Sequence, residues 1–256
     1  MLKERLIQEV ESKGAKCAFV IKDMKSGESW SYNQDLVVRS ASLIKVFIMA
    51  EAMARVKNGK LDLATDIRVT ESDVVDFSVL TFLNPRPYSL RELLNLMIVY
   101  SDNTATNVLI DYFGIDAIND RIRELGFEKS ILQRKMMDFA AAKEGKDNFT
   151  VPAELADFLQ RLYDTELLGE GFDQIMLEIM KGAADECMMR DHLPDEIPIA
   201  RKTGELDCLD HEISIVYGEK TDYIYNFFVW DADSNNEARQ MISVTSKIVY
   251  DFFEDK

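Results

Sequence analysis

Histidine and cysteine are scarce in this chain, and basic residues are outnumbered. His192 and His211 are the only histidines. Neither has the spacing of a metal site or a catalytic triad, so both read as ordinary polar or loop positions. Cys17, Cys187 and Cys208 form an odd set without C-x-x-C, which gives neither a disulfide framework nor a zinc knuckle, and reduced thiols are expected. No metal or organic cofactor is implied. Proline- and glycine-rich linkers, internal repeats and low-complexity tracts are absent, so a single compact unit of two lobes is expected. No run approaches the ~20 apolar residues of a membrane span. Against 46 acidic residues stand 30 Lys and Arg, a net charge of −16. That charge repels nucleic acid and anionic lipid, so an anionic substrate needs locally placed Lys or Arg. The first 14 residues carry Glu4, Glu9 and Glu11, unlike a secretory leader. As written the chain is expected in the cytoplasm, or secreted or periplasmic if a leader has been removed.

What is present is globular: 256 residues, 47% apolar and 30% charged. Leu2, Leu6, Ile7 and Val10 have helical spacing before Gly14. A hairpin follows, Cys17 to Asp23 returning through Ser29 to Asn33. From about Ser42 to Gly59 the pattern is helical. Ser89 and Glu92 form a capping box ahead of an apolar helix over 90–99. Further helices are predicted over 104–112, 116–125, 152–163 and 172–181. Strands follow over 212–217 and 223–230, and a closing helix over 236–253. Strands from both termini with helices between predict an α/β chain of the α+β type. Its antiparallel sheet of about five strands comes from 1–41 and 196–256, and a helical lobe from 42–195 is inserted. The cleft between them is the natural place for a site.

Three short strings carry chemistry. In Ser42-Leu43-Ile44-Lys45 the lysine lies one helical turn from the serine, where an amine can take the hydroxyl's proton. A helix start at Ser42 also offers free N–H groups to an oxyanion. For Lys45 to act as a base it must be neutral, and a nearby cation such as Lys202 pushes it that way. In Ser101-Asp102-Asn103, Ser101 can relay a proton to a leaving amine, Asp102 caps the next helix, and Asn103 can donate to a substrate carbonyl. Lys202-Thr203-Gly204 reads as an edge strand whose cation and hydroxyl suit a substrate carboxylate, with Gly204 leaving room for close approach to the backbone. Tyr100, Phe139 and Phe149 are candidates for an acyl pocket or for the core, and the 12 methionines read as core filling.

In this order the three strings, with Tyr88-Ser89-Leu90-Arg91-Glu92-Leu93 leading into Ser101-Asp102-Asn103-Thr104-Ala105 and Asn107, resemble the class A serine β-lactamase-related group of penicillin-recognising enzymes. The resemblance implies a monomeric serine hydrolase that opens the amide of a small β-lactam through an acyl-enzyme on Ser42, without a cofactor. It also implies an oxyanion hole from the backbone N–H groups of Ser42 and Glu205. One departure stands out. With Arg134 matched to the family's loop arginine, Met136 occupies the place of the glutamate that activates the deacylating water, and Ala140 that of an asparagine. Glu144 and Asp138 are the carboxylates available to substitute. The alternatives are a penicillin-binding, D-alanyl peptidase-like or esterase enzyme with slow turnover, and a non-catalytic binding protein.

Overall fold

The computed structural model describes residues 2–184 and 188–255; Cys187 lies outside them. Helix α1 (Leu2–Glu11) buries Leu2, Leu6 and Val10, the stripe expected at i, i+4 and i+8. Strands β1 (Lys16–Asp23) and β2 (Ser29–Tyr32) form the predicted hairpin. Short strand β3 (Val38–Arg39) leads into a 3-10 turn, Ala41–Ile44, and then α2 (Lys45–Lys57). The sequence pattern suggests one α-helix from Ser42, but the first turn is the tighter 3-10 form. In it residues three apart eclipse, which stacks Ser42 and Lys45 along one edge.

The middle of the chain comprises β4 (Asp66–Arg68), β5 (Pro87–Ser89), α3 (Leu90–Val99), α4 (Asn103–Phe113), α5 (Ile115–Glu124), α6 (Phe139–Lys143), β6 (Phe149–Thr150), α7 (Pro152–Tyr163) and α8 (Glu170–Lys181). Ser89 and Glu92 close the predicted capping box on α3. The stretch is not purely helical: β4 pairs with β5, and β6 pairs with β3. Runs of two or three residues are too short to show a period of two, so the sequence pattern missed them. The chain ends with β7 (Ile199–Leu206), β8 (Leu209–Tyr217), β9 (Asp222–Trp230) and α9 (Asn235–Glu254).

The main sheet has the order β2-β1-β9-β8-β7 and is antiparallel throughout. Its strands come from the two ends of the chain, as expected, and β7 is an edge. Both faces are covered. Cys17, Phe19, Ile21, Tyr225 and Phe227 pack toward α1 and α9, while Ala18, Val20, Ile213, Ile224 and Phe228 pack toward the helical side. Two buried faces explain why these strands read as near-continuous apolar runs. On the helical side α2 is buried all round from Lys45 to Ala54, as befits a central helix. Its one buried acid, Glu51, is shared by Arg55 at 2.6 Å and Arg121 at 3.0 Å. Met49, Met53, Met97, Met176 and Met180 fill this core, as expected of flexible apolar side chains.

Candidate active site

The three strings come from α2, the α3–α4 junction and β7, and they converge. Lys45 is wholly buried at the head of α2. Its Nζ donates to the carbonyl oxygen of Ser101 at 2.6 Å, to Ser101 Oγ at 3.2 Å and to Asn103 Oδ1 at 2.9 Å. Lys202, equally buried, donates from the other side to Ser101 Oγ at 3.0 Å and to the Thr203 carbonyl at 3.0 Å. Two amines therefore bracket one hydroxyl. Buried amines are costly unless hydrogen-bonded, and these carbonyl and hydroxyl oxygens supply the partners.

Ser101 reaches this position through an unusual backbone. Its φ is +54°, a left-handed conformation that a non-glycine residue adopts at a cost. The reversal ends α3 and turns the Ser101 carbonyl toward Lys45. Asp102 then caps α4, accepting from Ala105 N at 2.7 Å, and ties in a neighbouring loop by accepting from Leu80 N at 3.0 Å. Capping is the role its sequence position predicts. Asn103 uses its amide nitrogen on the Asp76 carbonyl at 3.3 Å, and its own N–H meets the Phe77 carbonyl at 3.3 Å.

This loop is the part of the site that sequence reasoning missed. Phe77 is 79% exposed with φ +56°. An aromatic side chain held out in water at the edge of the site is the kind of group that contacts a ligand. Its one signal in the sequence is an aromatic residue set between Asp76 and Ser78.

Ser42 is partly exposed in the 3-10 turn, following Ala41 at φ +47°. Gly204 explains how the turn is held. A Cβ at Gly204 would lie 3.0 Å from the Ser40 carbonyl oxygen, 3.1 Å from Leu43 Cγ and 3.2 Å from Ala41 Cβ. The missing side chain thus lets β7 press against the segment that carries Ser42, where the sequence alone suggests room for a ligand. Thr203 is buried, and Glu205 is exposed immediately after Gly204.

His211 fastens the same segment from behind. It stands opposite Gly204 in the β7–β8 ladder, is fully buried and packs against Phe228 with ring centroids 4.6 Å apart. Its Nε2 lies 3.1 Å from the Arg39 carbonyl, three residues before Ser42, and its Nδ1 lies 2.8 Å from the Asp210 carbonyl. Burial pushes the imidazole down to about 4. The plain reading of His211 as an ordinary position therefore gives way to an interior tie. His192 is exposed at the end of the 3-10 turn Met188–His192.

The stretch 133–148 is built differently. Asn107, one turn along α4 from Asn103, holds the Met136 backbone at both ends: Met136 N donates to Asn107 Oδ1 at 2.8 Å, and Asn107 Nδ2 donates to the Met136 carbonyl at 3.0 Å. Met136 is buried and lines a cavity of about 250 Å³ with Asp73, Asn107 and Asp138. Asp138 shares that cavity, yet its carboxylate accepts from Ala141 N at 3.0 Å as the cap of α6. Glu144, 69% exposed, lies 3.5 Å from Lys146 on the surface. Tyr100 and Phe139 are exposed, so neither is a core residue, and Phe149 is half-buried in β6. Cys208 sits in the β7–β8 turn with φ +55°. Among the described residues no group of three His, Cys, Asp or Glu side chains is gathered as a metal site, and no helix is long and apolar enough to cross a membrane.

Relatives share this architecture. A "Beta-lactamase" of Rhodobacter capsulatus is 27% identical over 245 residues, covering 93% of this chain and 83% of the relative. The crystal structure of a beta-lactamase from Sphaerobacter thermophilus superposes with a TM-score of 0.91 at 26% identity, covering 99% of this chain and 97% of that one. PBP-A superposes with a TM-score of 0.90 at 24% identity, over 100% of this chain and 97% of that one, as a mutant in an acyl-enzyme complex with penicillin G. The family model for the beta-lactamase enzyme family matches residues 1–253, and the chain belongs to that family.

Proposed function

We propose that this protein is a serine enzyme of the β-lactamase and penicillin-binding type, acylated at Ser42 by a β-lactam or acyl-D-alanyl-like amide or ester, and slow to release the acyl group. The observation that carries the reading is the bracketing of Ser101 Oγ by Lys202 at 3.0 Å and, at 3.2 Å, by Lys45, the residue one turn after Ser42 in the chain. Ser42 Oγ attacks the carbonyl carbon while Lys45 takes its proton. The carbonyl oxygen gains negative charge and is met by the N–H groups of Ser42 and Glu205; the close packing of Gly204 against Ser40, Ala41 and Leu43 supports this assignment. As the ring C–N bond breaks, the proton passes from Lys45 through Ser101 Oγ to the leaving nitrogen. Lys202 and Thr203 hold the substrate carboxylate, and Asn103 contacts its side-chain amide.

Hydrolysis of the acyl-enzyme needs a base beside a water. A thioether accepts no proton, and Met136 is the side chain whose backbone is fixed one turn from Asn103. Asp138 is occupied as a helix cap and Glu144 is solvated away on the surface. Positioning dominates general-base efficiency, so neither carboxylate as placed favours fast release.

Intact-mass measurement after addition of benzylpenicillin tests this. The expected result is an increment of one penicillin on the protein, decaying slowly. Rapid return to free protein with ring-opened product would replace this reading with that of an efficient β-lactamase. No increment would leave a binding protein.

A further inference from the structure

The first N–H groups of a helix have no partner within it, and those of α4 are met by its cap and by one loop, residues 75–80. Asn103 N donates to the Phe77 carbonyl at 3.3 Å and Thr104 N to Ser78 Oγ at 2.9 Å. Ala105 N goes to Asp102, whose other oxygen takes Leu80 N. The Thr104 hydroxyl adds two bonds to the same loop. It donates to Ser78 Oγ at 2.8 Å and accepts from Val75 N at 3.0 Å. Thr104 is wholly buried and Ser78 is 8% exposed. Capping α4 needs only Ser78, Phe77 and Asp102, so the tie to Val75 is additional. It holds the far side of the loop, with Asp76 and Phe77 between the two anchors.

The loop in turn orients the Asn103 amide. A backbone carbonyl only accepts, so the Asp76 carbonyl, 3.3 Å from Asn103 Nδ2, decides which way the amide faces and leaves Oδ1 for Lys45 Nζ at 2.9 Å. The amide nitrogen carries two protons. Asp76 takes one, and the other is left for a substrate carbonyl.

We infer that Thr104 is a positioning residue that acts through Ser78 and the 75–80 loop on the Asn103 amide, and so sets how strongly the site favours substrates with a side-chain amide over those without one. The inference rests on the acyl-enzyme reading above, in which Asn103 contacts that amide. Without the Thr104 hydroxyl, Val75 N loses its acceptor and Ser78 keeps one of its two bonds to Thr104. The Asp76 carbonyl lies between these anchors, so a loosened loop no longer holds the amide in one orientation. A turned amide presents oxygen to the substrate carbonyl, and two acceptors do not bond. Buried hydrogen bonds are costly to leave unmade, which keeps the native loop in a single arrangement while the set is complete. Thr104 spends its hydroxyl inside the protein, so its effect reaches the substrate only through Asn103.

The test compares acylation by benzylpenicillin, which carries a side-chain amide, with acylation by 6-aminopenicillanic acid, which lacks one, as the ratio of their second-order rates followed by intact mass. Thr104→Val keeps the shape and removes the hydroxyl. It is expected to lower that ratio roughly fivefold, the effect of losing one hydrogen bond, and Thr104→Ser to restore it. Ser78→Ala removes the other anchor and is expected to lower the ratio by a similar factor; it decides the matter if Thr104→Val does not fold. A merely structural role would slow both compounds alike and leave the ratio alone. Ratios within about twofold of the parent in every folded variant, or a Thr104→Ser ratio as low as that of Thr104→Val, overturn the inference while the acyl-enzyme reading stands. No adduct on the parent protein with either compound removes both.

Discussion

The two walls of the cleft are finished to different degrees. Around Ser101 every group is committed: two buried lysines converge on one hydroxyl, a strained backbone turns its carbonyl to meet them, and a glycine lets β7 close against the Ser42 turn. In residues 133–148 the Met136 backbone is held just as firmly by Asn107 and the backbone of residues 133 and 134 by Asn148, but the stretch presents a thioether, a capping carboxylate and a surface glutamate. Firmness is therefore not what distinguishes the walls. The difference is chemical: the first gathers two amines on a hydroxyl, and the second offers no free carboxylate beside Met136, which is the contrast the proposed slow release rests on.

That contrast can be broken most severely at Ser42. Ser42→Ala is expected to abolish the penicillin adduct with the fold intact, read by intact mass beside circular dichroism. Lys45→Ala should slow acylation by roughly two to four orders of magnitude, the usual worth of a positioned proton acceptor; an unaltered rate would take Lys45 out of that role. Met136→Glu sharpens the comparison by equipping the second wall. Its acyl-enzyme should decay roughly tenfold faster or more, read as the half-life of the adduct. An unchanged half-life would show that the missing carboxylate is not what limits release.

Smaller effects separate rigidity from chemistry. Asn107→Ala removes two hydrogen bonds to the Met136 backbone and should cost about 1–3 kcal/mol in urea denaturation. A neutral result would mean that the loop is held by other contacts. Proton linkage addresses the first wall from behind. Burial pushes Asp210 up to about 7 and His211 down to about 4. Folded Asp210 keeps a proton that the unfolded chain loses above its ordinary 3.8, so its contribution to stability is full below that pH and falls as pH rises toward 7. Folded His211 refuses a proton that the unfolded chain binds below 6.5, so its contribution rises with pH from about 4 to 6.5. The two slopes oppose each other. Asp210→Asn leaves only the rising one, so the Tm of the variant relative to the parent should climb between pH 4.5 and pH 6.5. A constant difference would place the Asp210 proton elsewhere. The smallest effect is expected of Glu144→Gln, within about twofold on adduct lifetime. A larger loss would make this exposed residue the base after all.

Much of the scaffold was legible in the chain because it depends on period and punctuation. The Leu2–Val10 stripe, the Ser89–Glu92 capping box, the Asp102 cap and the exact limits of α7 after Pro152 are local signals, and the structure repeats them. The two-residue pairing of β3 with β6 and the 3-10 start before Lys45 were not legible, since both are imposed by neighbours distant in sequence. The same holds for Tyr100 and Phe139. Their apolar character fits core and surface alike, and only packing placed them in water.

By itself the sequence determined which chemical groups are available and on which elements they ride: a serine and a lysine one turn apart, a serine after an abrupt helix end, and a lysine on a late strand. These follow from residue identity and local spacing, which survive any rearrangement of the chain. Tertiary structure alone decided that Lys45 and Lys202 meet at Ser101, that Gly204 is filled by the Ser42 turn, and that His211 ties Arg39. Each of these joins residues scores of positions or a whole strand apart, and what fixes them is the cost of burying a polar group without a partner, a quantity that exists only once the interior has formed.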